Sequence, residues 1–273
     1  MLYTSQEISE LIVEKLSQNK EVLKANYKKS IHEIGYFYID DLLPNDLVLK
    51  INSCFPEAKD MILKQSIRED KYIAVQMDNY DSLLEQVVYA FQHKNVVNSI
   101  SEICEIEDLH PDVNLYAGGL SLMENKQFLN PHLDNSHDKD MGKWRVLNLL
   151  FYVNPNWQSN FGGNLELWPK GLNNNPIVVA SKFNRLVVMA THQKSWHSVS
   201  PITNSDFSRK CVSNYYFSNF PLKNNDSFHV TTFRGRPNQP IINQLLKLDS
   251  FLRMKIRSVF KKGIVTNKHV YRK

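Results

Sequence analysis

Apolar residues recur at helical spacing near the start of the chain, where Ile8, Leu11, Ile12, Leu16, Val22 and Leu23 stand between charged and amide side chains. Positions three and four apart share one face of a helix, so this spacing predicts an amphipathic helical segment over 5–30. Residues 34–39, Ile-Gly-Tyr-Phe-Tyr-Ile, are mostly β-branched and aromatic and predict a strand. Leu43-Pro44-Asn45-Asp46 then turns into a helix reaching about Phe55, with Pro44 near its first turn, where a missing N–H is tolerated. Leu83, Leu84, Val87, Val88, Phe91, Val96, Val97 and Ile100 predict further helix within 81–107.

From Asn114 the pattern changes to short strands. Candidates lie at 113–123, 127–134, 145–153, 163–168, 176–180, 185–190, 196–201 and 209–219. Between them stand Gly118-Gly119, Asn154-Pro155-Asn156, Phe161-Gly162-Gly163 and Asn173-Asn174-Asn175-Pro176, all of them turn chemistry. Short strands at this spacing predict a sandwich or jelly roll rather than alternating βαβ units. Apolar positions from Ile241 to Phe260 return to the helical period. The expected fold class is mainly β with flanking helices (α+β). One integrated domain is expected, with a helical and strand support region at 1–111, a β core at 112–220, and a C-terminal helix and basic tail at 221–273.

Composition changes this picture little. A hydrophobic content of 42% and a charged content of 22% are those of a globular domain with one sizeable core. Nothing at the N-terminus reads as a signal peptide, and no apolar run is long enough to cross a bilayer. Three scattered cysteines, Cys54, Cys104 and Cys211, argue against a disulfide framework and for a reducing compartment. The expected location is cytoplasmic.

Charge adds one feature. Residues 251–273 hold eight Lys/Arg and no Asp or Glu, which leaves 25 basic against 28 acidic residues elsewhere. Such a tail suits an anionic membrane surface, with peripheral attachment to the inner face. A solvated terminal helix would show the same composition, and no clear nucleic-acid partner is indicated.

Candidate chemistry lies in Asn130-Pro131-His132-Leu133-Asp134 and Ser195-Trp196-His197. Residues two apart on a strand point to one face, so His132 and Asp134 can act together. His197, from a distant strand, can complete a set of two imidazoles and one carboxylate. That set, with its other side open, suits a non-haem Fe(II) that activates oxygen. His192 competes with His197 as the third ligand, and His137 sits in a polar loop. Arg209 opens the last core strand, where a guanidinium can grip a carboxylate in two-pronged fashion; Lys210 is its competitor.

Pro131–Asp134, the strand Arg145–Asn154, Gly162–Trp168, Ser195–Val199 and Arg209 together resemble the Fe(II)/2-oxoglutarate-dependent oxygenases. The style is that of the prolyl 4-hydroxylase catalytic-domain-like branch. The resemblance implies a double-stranded β-helix (jelly roll) and a dioxygenase that hydroxylates an organic substrate while releasing succinate and CO2. It implies Fe(II) on His132, Asp134 and His197, with O2 and 2-oxoglutarate as co-substrates and ascorbate as a candidate reductant. It further implies that Arg209 binds the distal carboxylate of 2-oxoglutarate. Tyr116, farther from the first histidine than the family's usual tyrosine, is a further cofactor-binding candidate together with Asn148 and Arg145. The acceptor is expected to be a peptidyl proline, a cell-envelope sugar or glycolipid, or a free small molecule. Its choice would lie in the loops Gly118–Phe128, Asn135–Lys143 and Asn154–Gly162. Two other classes fit parts of the pattern: a cupin-like metal-binding β-barrel without oxygen chemistry, and an anionic-surface adaptor working through the tail.

Overall fold

The computed structural model describes residues 3–260 and Tyr271. Five of the eight basic residues of the tail, Lys261, Lys262, Lys268, Arg272 and Lys273, lie outside the described residues.

The helical segment expected over 5–30 is two helices, α1 (Ser5–Gln18) and α2 (Lys20–Ser30), that meet at Asn19. The Asn19 side-chain amide donates to the carbonyl of Lys15 and its backbone N–H to Leu16, so the last turn of α1 is closed locally. Thr4 and Glu7 cap the start of α1 reciprocally. After α3 (Asn45–Cys54), the segment expected over 81–107 is likewise split, into α4 (Ser82–Ala90) and α5 (Lys94–Cys104). The break frees Gln92, which donates to the Asp112 carbonyl and to Asn214 in the β core. A last helix, α6 (Pro240–Val259), follows the core.

Among the described residues thirteen strands accompany these helices. They are β1 (Tyr36–Asp40), β2 (Ile62–Gln65), β3 (Glu69–Ala74), β4 (His110–Pro111), β5 (Gly119–Met123), β6 (Phe128–Leu133) and β7 (Trp144–Tyr152). After these come β8 (Leu165–Leu167), β9 (Ile177–Val179), β10 (Arg185–Ala190), β11 (His197–Val199), β12 (Arg209–Ser218) and β13 (Thr232–Phe233). Their order is β1-β10-β7-β12-β5-β3-β6-β11-β8-β9, with β2 beside β3, β4 beside β12 and β13 beside β6. Every pairing is antiparallel. The β2–β3 hairpin was absent from the sequence reading, and it joins the two parts of the sheet. Tyr72–Ala74 pair with β5, while Glu69 and Asp70 pair with β6.

Alternation along the strands explains the layers. Leu147, Leu149, Phe151, Leu186, Val188 and Val212 pack outward under the helices, in one core with Ile8, Ile12, Leu84 and Val87. Tyr152, Val187, Met189 and Cys211 point inward and meet Leu165 and Leu167 of the smaller set of strands. The Gly162-Gly163 corner obeys the same economy of space. Both residues have positive φ, and a Cβ on Gly162 would lie 2.0 Å from the Pro201 carbonyl oxygen, so only glycine fits.

Candidate active site

β6 carries His132 on its inner face and delivers Asp134 just past its end. β11 pairs antiparallel with β6, and the register sets His197 directly opposite His132. Side chains facing each other across such a pair converge, and the two imidazole centroids are 4.1 Å apart. Each Nδ1 lies 3.0 Å from a backbone carbonyl two residues back, Asn130 for His132 and Ser195 for His197. A carbonyl only accepts, so each Nδ1 carries the proton and each Nε2 presents a lone pair inward. These Nε2 atoms lie 3.7 Å and 3.5 Å from the two oxygens of Asp134. Ligand atoms of all three residues fall within 4.8 Å of one another, close enough to share one ion.

Their surroundings hold the charge states a metal needs. Burial, reinforced by the neighbouring His197, pulls His132 down to about 3, so it stays neutral at physiological pH. Burial alone would raise Asp134, but Arg145 and the two imidazoles, helped by a hydrogen bond from Asn148, hold it well below the usual carboxylate range. Asn148 Nδ2 donates to Asp134 Oδ2 at 2.6 Å, and Arg145 Nη1 lies 3.4 Å from Oδ1. Strict alternation would put residues 145 and 148 on opposite faces of β7. A bulge opposite Tyr216 and Phe217 inserts Val146 as an extra residue and re-phases the strand, so both side chains reach Asp134. Phe233 of β13 stacks on the His132 ring at 5.1 Å and fixes its plane.

A cavity of about 300 Å³ opens beside this cluster and is lined by His132, Asp134, His197, Asn148, Tyr116 and Arg209. Arg209 is buried on β12, where its guanidinium donates to Ser181 Oγ at 3.0 Å and Tyr152 Oη at 3.3 Å. Both partners are neutral, and no carboxylate pairs with Arg209 among the described residues. Its Nη1 also reaches Met123 Sδ at 3.8 Å and its guanidinium lies over the Tyr152 ring, so all these partners are neutral, and a buried cation so placed suits an anion entering the cavity. The buried Asn148 Oδ1 likewise has no partner among the described residues. Two nitrogens, one carboxylate and a confined anion site together fit Fe(II) and a dicarboxylate keto acid.

The competing candidates fall elsewhere. His192 sits between the Ile34 carbonyl, 3.0 Å from Nε2, and the Lys194 N–H, which donates to Nδ1. Lys210 points outward to the Asn52 carbonyl and the Phe55 ring. His137 packs on Phe228, with Arg257 3.4 Å from its Nε2. Arg145 and Asn148 contact Asp134, and Tyr116 lines the cavity with Asn135 donating to its hydroxyl at 3.3 Å. Sequence reasoning missed Tyr152, Ser181 and the cavity wall from the hairpin, where Lys71 pairs with Glu69 at 3.0 Å. Tyr152 was findable, because it is in phase with Asn148 through Leu150.

Residues 118–218, which span β5 to β12, match the family model of the 2OG-Fe(II) oxygenase superfamily. No curated protein matches the chain by sequence. Among solved structures, the chain is similar to a Pseudomonas putida prolyl-4-hydroxylase at 19% identity and TM-score 0.54, covering 72% of this chain and 98% of that one. Prolyl 4-hydroxylases from Phytophthora capsici align over 93% of this chain and 80% of theirs, at 19% identity and TM-score 0.52. A prolyl hydroxylase from Trichoplax adhaerens, solved with a hypoxia inducible factor oxygen degradation domain peptide fragment, gives 19% identity, 74% and 92% coverage and TM-score 0.51. At these identities the likeness is one of fold, and that fold is the double-stranded β-helix expected above. The family match and the shared fold thus make residues 118–218 similar to enzymes that use Fe(II) and 2-oxoglutarate.

Proposed function

We propose that the protein is a dioxygenase that couples decarboxylation of 2-oxoglutarate, to succinate and CO2, to hydroxylation of an organic acceptor. In this reading His132, Asp134 and His197 hold Fe(II), and Arg209 grips the distal carboxylate of 2-oxoglutarate. The observation that carries it is the joint occurrence, in one cavity, of three convergent candidate ligands and a buried guanidinium without a carboxylate partner among the described residues. Iron held by these residues would supply the activation of O2.

The chain's own residues do the positioning. The Asn130 and Ser195 carbonyls hold the protons on Nδ1 of the two histidines, so both Nε2 atoms stay free to bind. Asn148 and Arg145 keep Asp134 ionised and aimed. Ser181 and Tyr152 steer the Arg209 fork toward the cavity. The β2–β3 hairpin walls the opening and limits water.

The acceptors that suit this reading are a peptidyl proline and a cell-envelope sugar or glycolipid. A cytoplasmic enzyme bound peripherally to the membrane through the basic residues of 251–273 would favour the envelope acceptor. Among the described residues no helix is long and apolar enough to cross a membrane.

Purified protein with Fe(II), ascorbate and 2-oxoglutarate is expected to form succinate, and His132→Ala and His197→Ala are expected not to. Undiminished succinate in both variants would overturn the metal assignment. Envelope-glycan masses of a deletion strain, lighter by one oxygen than the parent's, would identify the acceptor class.

A further inference from the structure

Helix α6 is inverted relative to an ordinary surface helix. Its buried side chains are Leu246 and Ser250. At 100° per residue, Ile241, Leu245, Leu248, Leu252, Ile256 and Val259 fall on the opposite side, and they are 46–77% exposed. Phe251 and Phe260 widen the stripe. An unbroken apolar face of this length on a surface is an interaction site.

The charge pattern selects the occupant. Lys247 and Lys255 flank the stripe, both exposed. Asp249 is the helix's one acidic residue, and Arg68 and Arg253 already engage it. A second copy docked helix to helix through this face would set Lys247 and Lys255 against their own equivalents, with no free carboxylate on α6 to answer them. An anionic lipid surface offers both an apolar layer and the complementary charge.

We infer that α6 is an interfacial anchor, seating its outward apolar face in the headgroup boundary of an anionic bilayer. The anchor is also tied to the hairpin whose strands wall the cavity. Arg68, in the turn between β2 and β3, donates through Nε at 3.0 Å and through Nη2 to the carboxylate of Asp249. The neighbouring Ile67 is 49% exposed and extends the apolar surface toward the hairpin. Docking through α6 therefore holds the strands that wall the cavity close to the lipid surface. The anchor itself is independent of the catalytic assignment.

The test is co-sedimentation of the full chain with vesicles of phosphatidylcholine alone and with about 30% phosphatidylglycerol. The wild type is expected to partition onto the anionic vesicles. A Leu245→Glu/Leu252→Glu variant keeps the whole basic tail and is expected to partition at least about tenfold less. Both positions are exposed, so its circular dichroism and thermal unfolding should match the wild type. A Lys247→Glu/Lys255→Glu variant should lose the preference for anionic over neutral vesicles. Absence of wild-type binding would overturn the anchor. So would undiminished binding of the Leu variant, which would assign the contact to the tail alone. A wild-type dimer that the Leu variant converts to monomer, without vesicle binding, would assign the face to a second copy.

Discussion

At the scale of single residues, the cluster works because neutral and charged states are fixed before any ligand arrives. Asn148 gives Asp134 a 2.6 Å charge-assisted hydrogen bond in a buried site. Losing such a support costs metal sites about 10–100-fold in affinity. Asn148→Ala is expected to weaken Mn(II) binding by about that factor in a titration, with the fold retained. Arg209→Met should leave Mn(II) binding intact and raise the KM for 2-oxoglutarate at least about 30-fold, since unpairing a buried charged contact costs about 2–5 kcal/mol. His137 offers a different readout. Burial, aided by Arg257, Arg145 and His229, pulls it down to about 4 from its ordinary 6.5. Between those values the unfolded chain binds a proton that the folded protein refuses, so stability rises with pH across the window and is lost as pH falls through it. His137→Phe, which can keep the contact with Phe228, should lose fewer degrees of Tm than the wild type between about pH 6.5 and pH 4. His132, His197 and Arg209 stand at strand positions and Asp134 one residue past β6, so their approach to one cavity follows from period two. Tyr152 and Ser181 were not read, because their roles depend on which strands become neighbours.

At the scale of elements, turn chemistry made seven of the eight core strands readable to within about two residues. The strand expected over 113–123 begins only at Gly119, because the Asp112 carboxylate holds the turn at 116–118 through three backbone N–H groups. The helix breaks at Asn19 and at 91–93 were invisible, because apolar spacing runs through both and side-chain hydrogen bonds decide them. The β2–β3 hairpin escaped for a related reason. It turns Lys64, Glu69 and Lys71 toward the cavity and leaves Ile62 and Leu63 exposed, the reverse of an ordinary half-buried strand. The bulge at Val146 is likewise a property of the pairing with β12. Behind β11, Arg236 ties the segment after β13 to the sheet through Glu166 at 2.8 Å, and Ser198 also donates to that carboxylate at 2.6 Å. Arg236→Leu would leave a largely buried carboxylate unpaired and is expected to cost about 3 kcal/mol in urea denaturation. Adding Glu166→Gln should recover most of that loss, because a neutral pair leaves no uncompensated charge.

At the scale of the molecule, the site couples the two parts of the folded sheet. His132 and His197 belong to the smaller set of strands, β6 and β11, whereas Asp134 is held by Arg145 and Asn148 of β7 in the larger set. Without an ion, burial of these groups is balanced only by hydrogen bonds and one long ion pair. A metal bound to the folded state alone shifts the unfolding equilibrium by mass action, by about 2.7 kcal/mol at a hundredfold excess over Kd. In a domain of this size that corresponds to about 5–10 °C in Tm. Mn(II), which does not turn over, is therefore expected to raise the unfolding temperature by that amount, and EDTA to reverse it. His132→Ala/His197→Ala should abolish the shift. 2-Oxoglutarate should add a further increment only when both metal and Arg209 are present, because it needs an anchor at each end of the cavity. A full Mn(II) shift retained in the double histidine variant would place the metal elsewhere. A 2-oxoglutarate increment retained in Arg209→Met would place the distal carboxylate on another cation of the cavity wall, with Lys71 the first to examine.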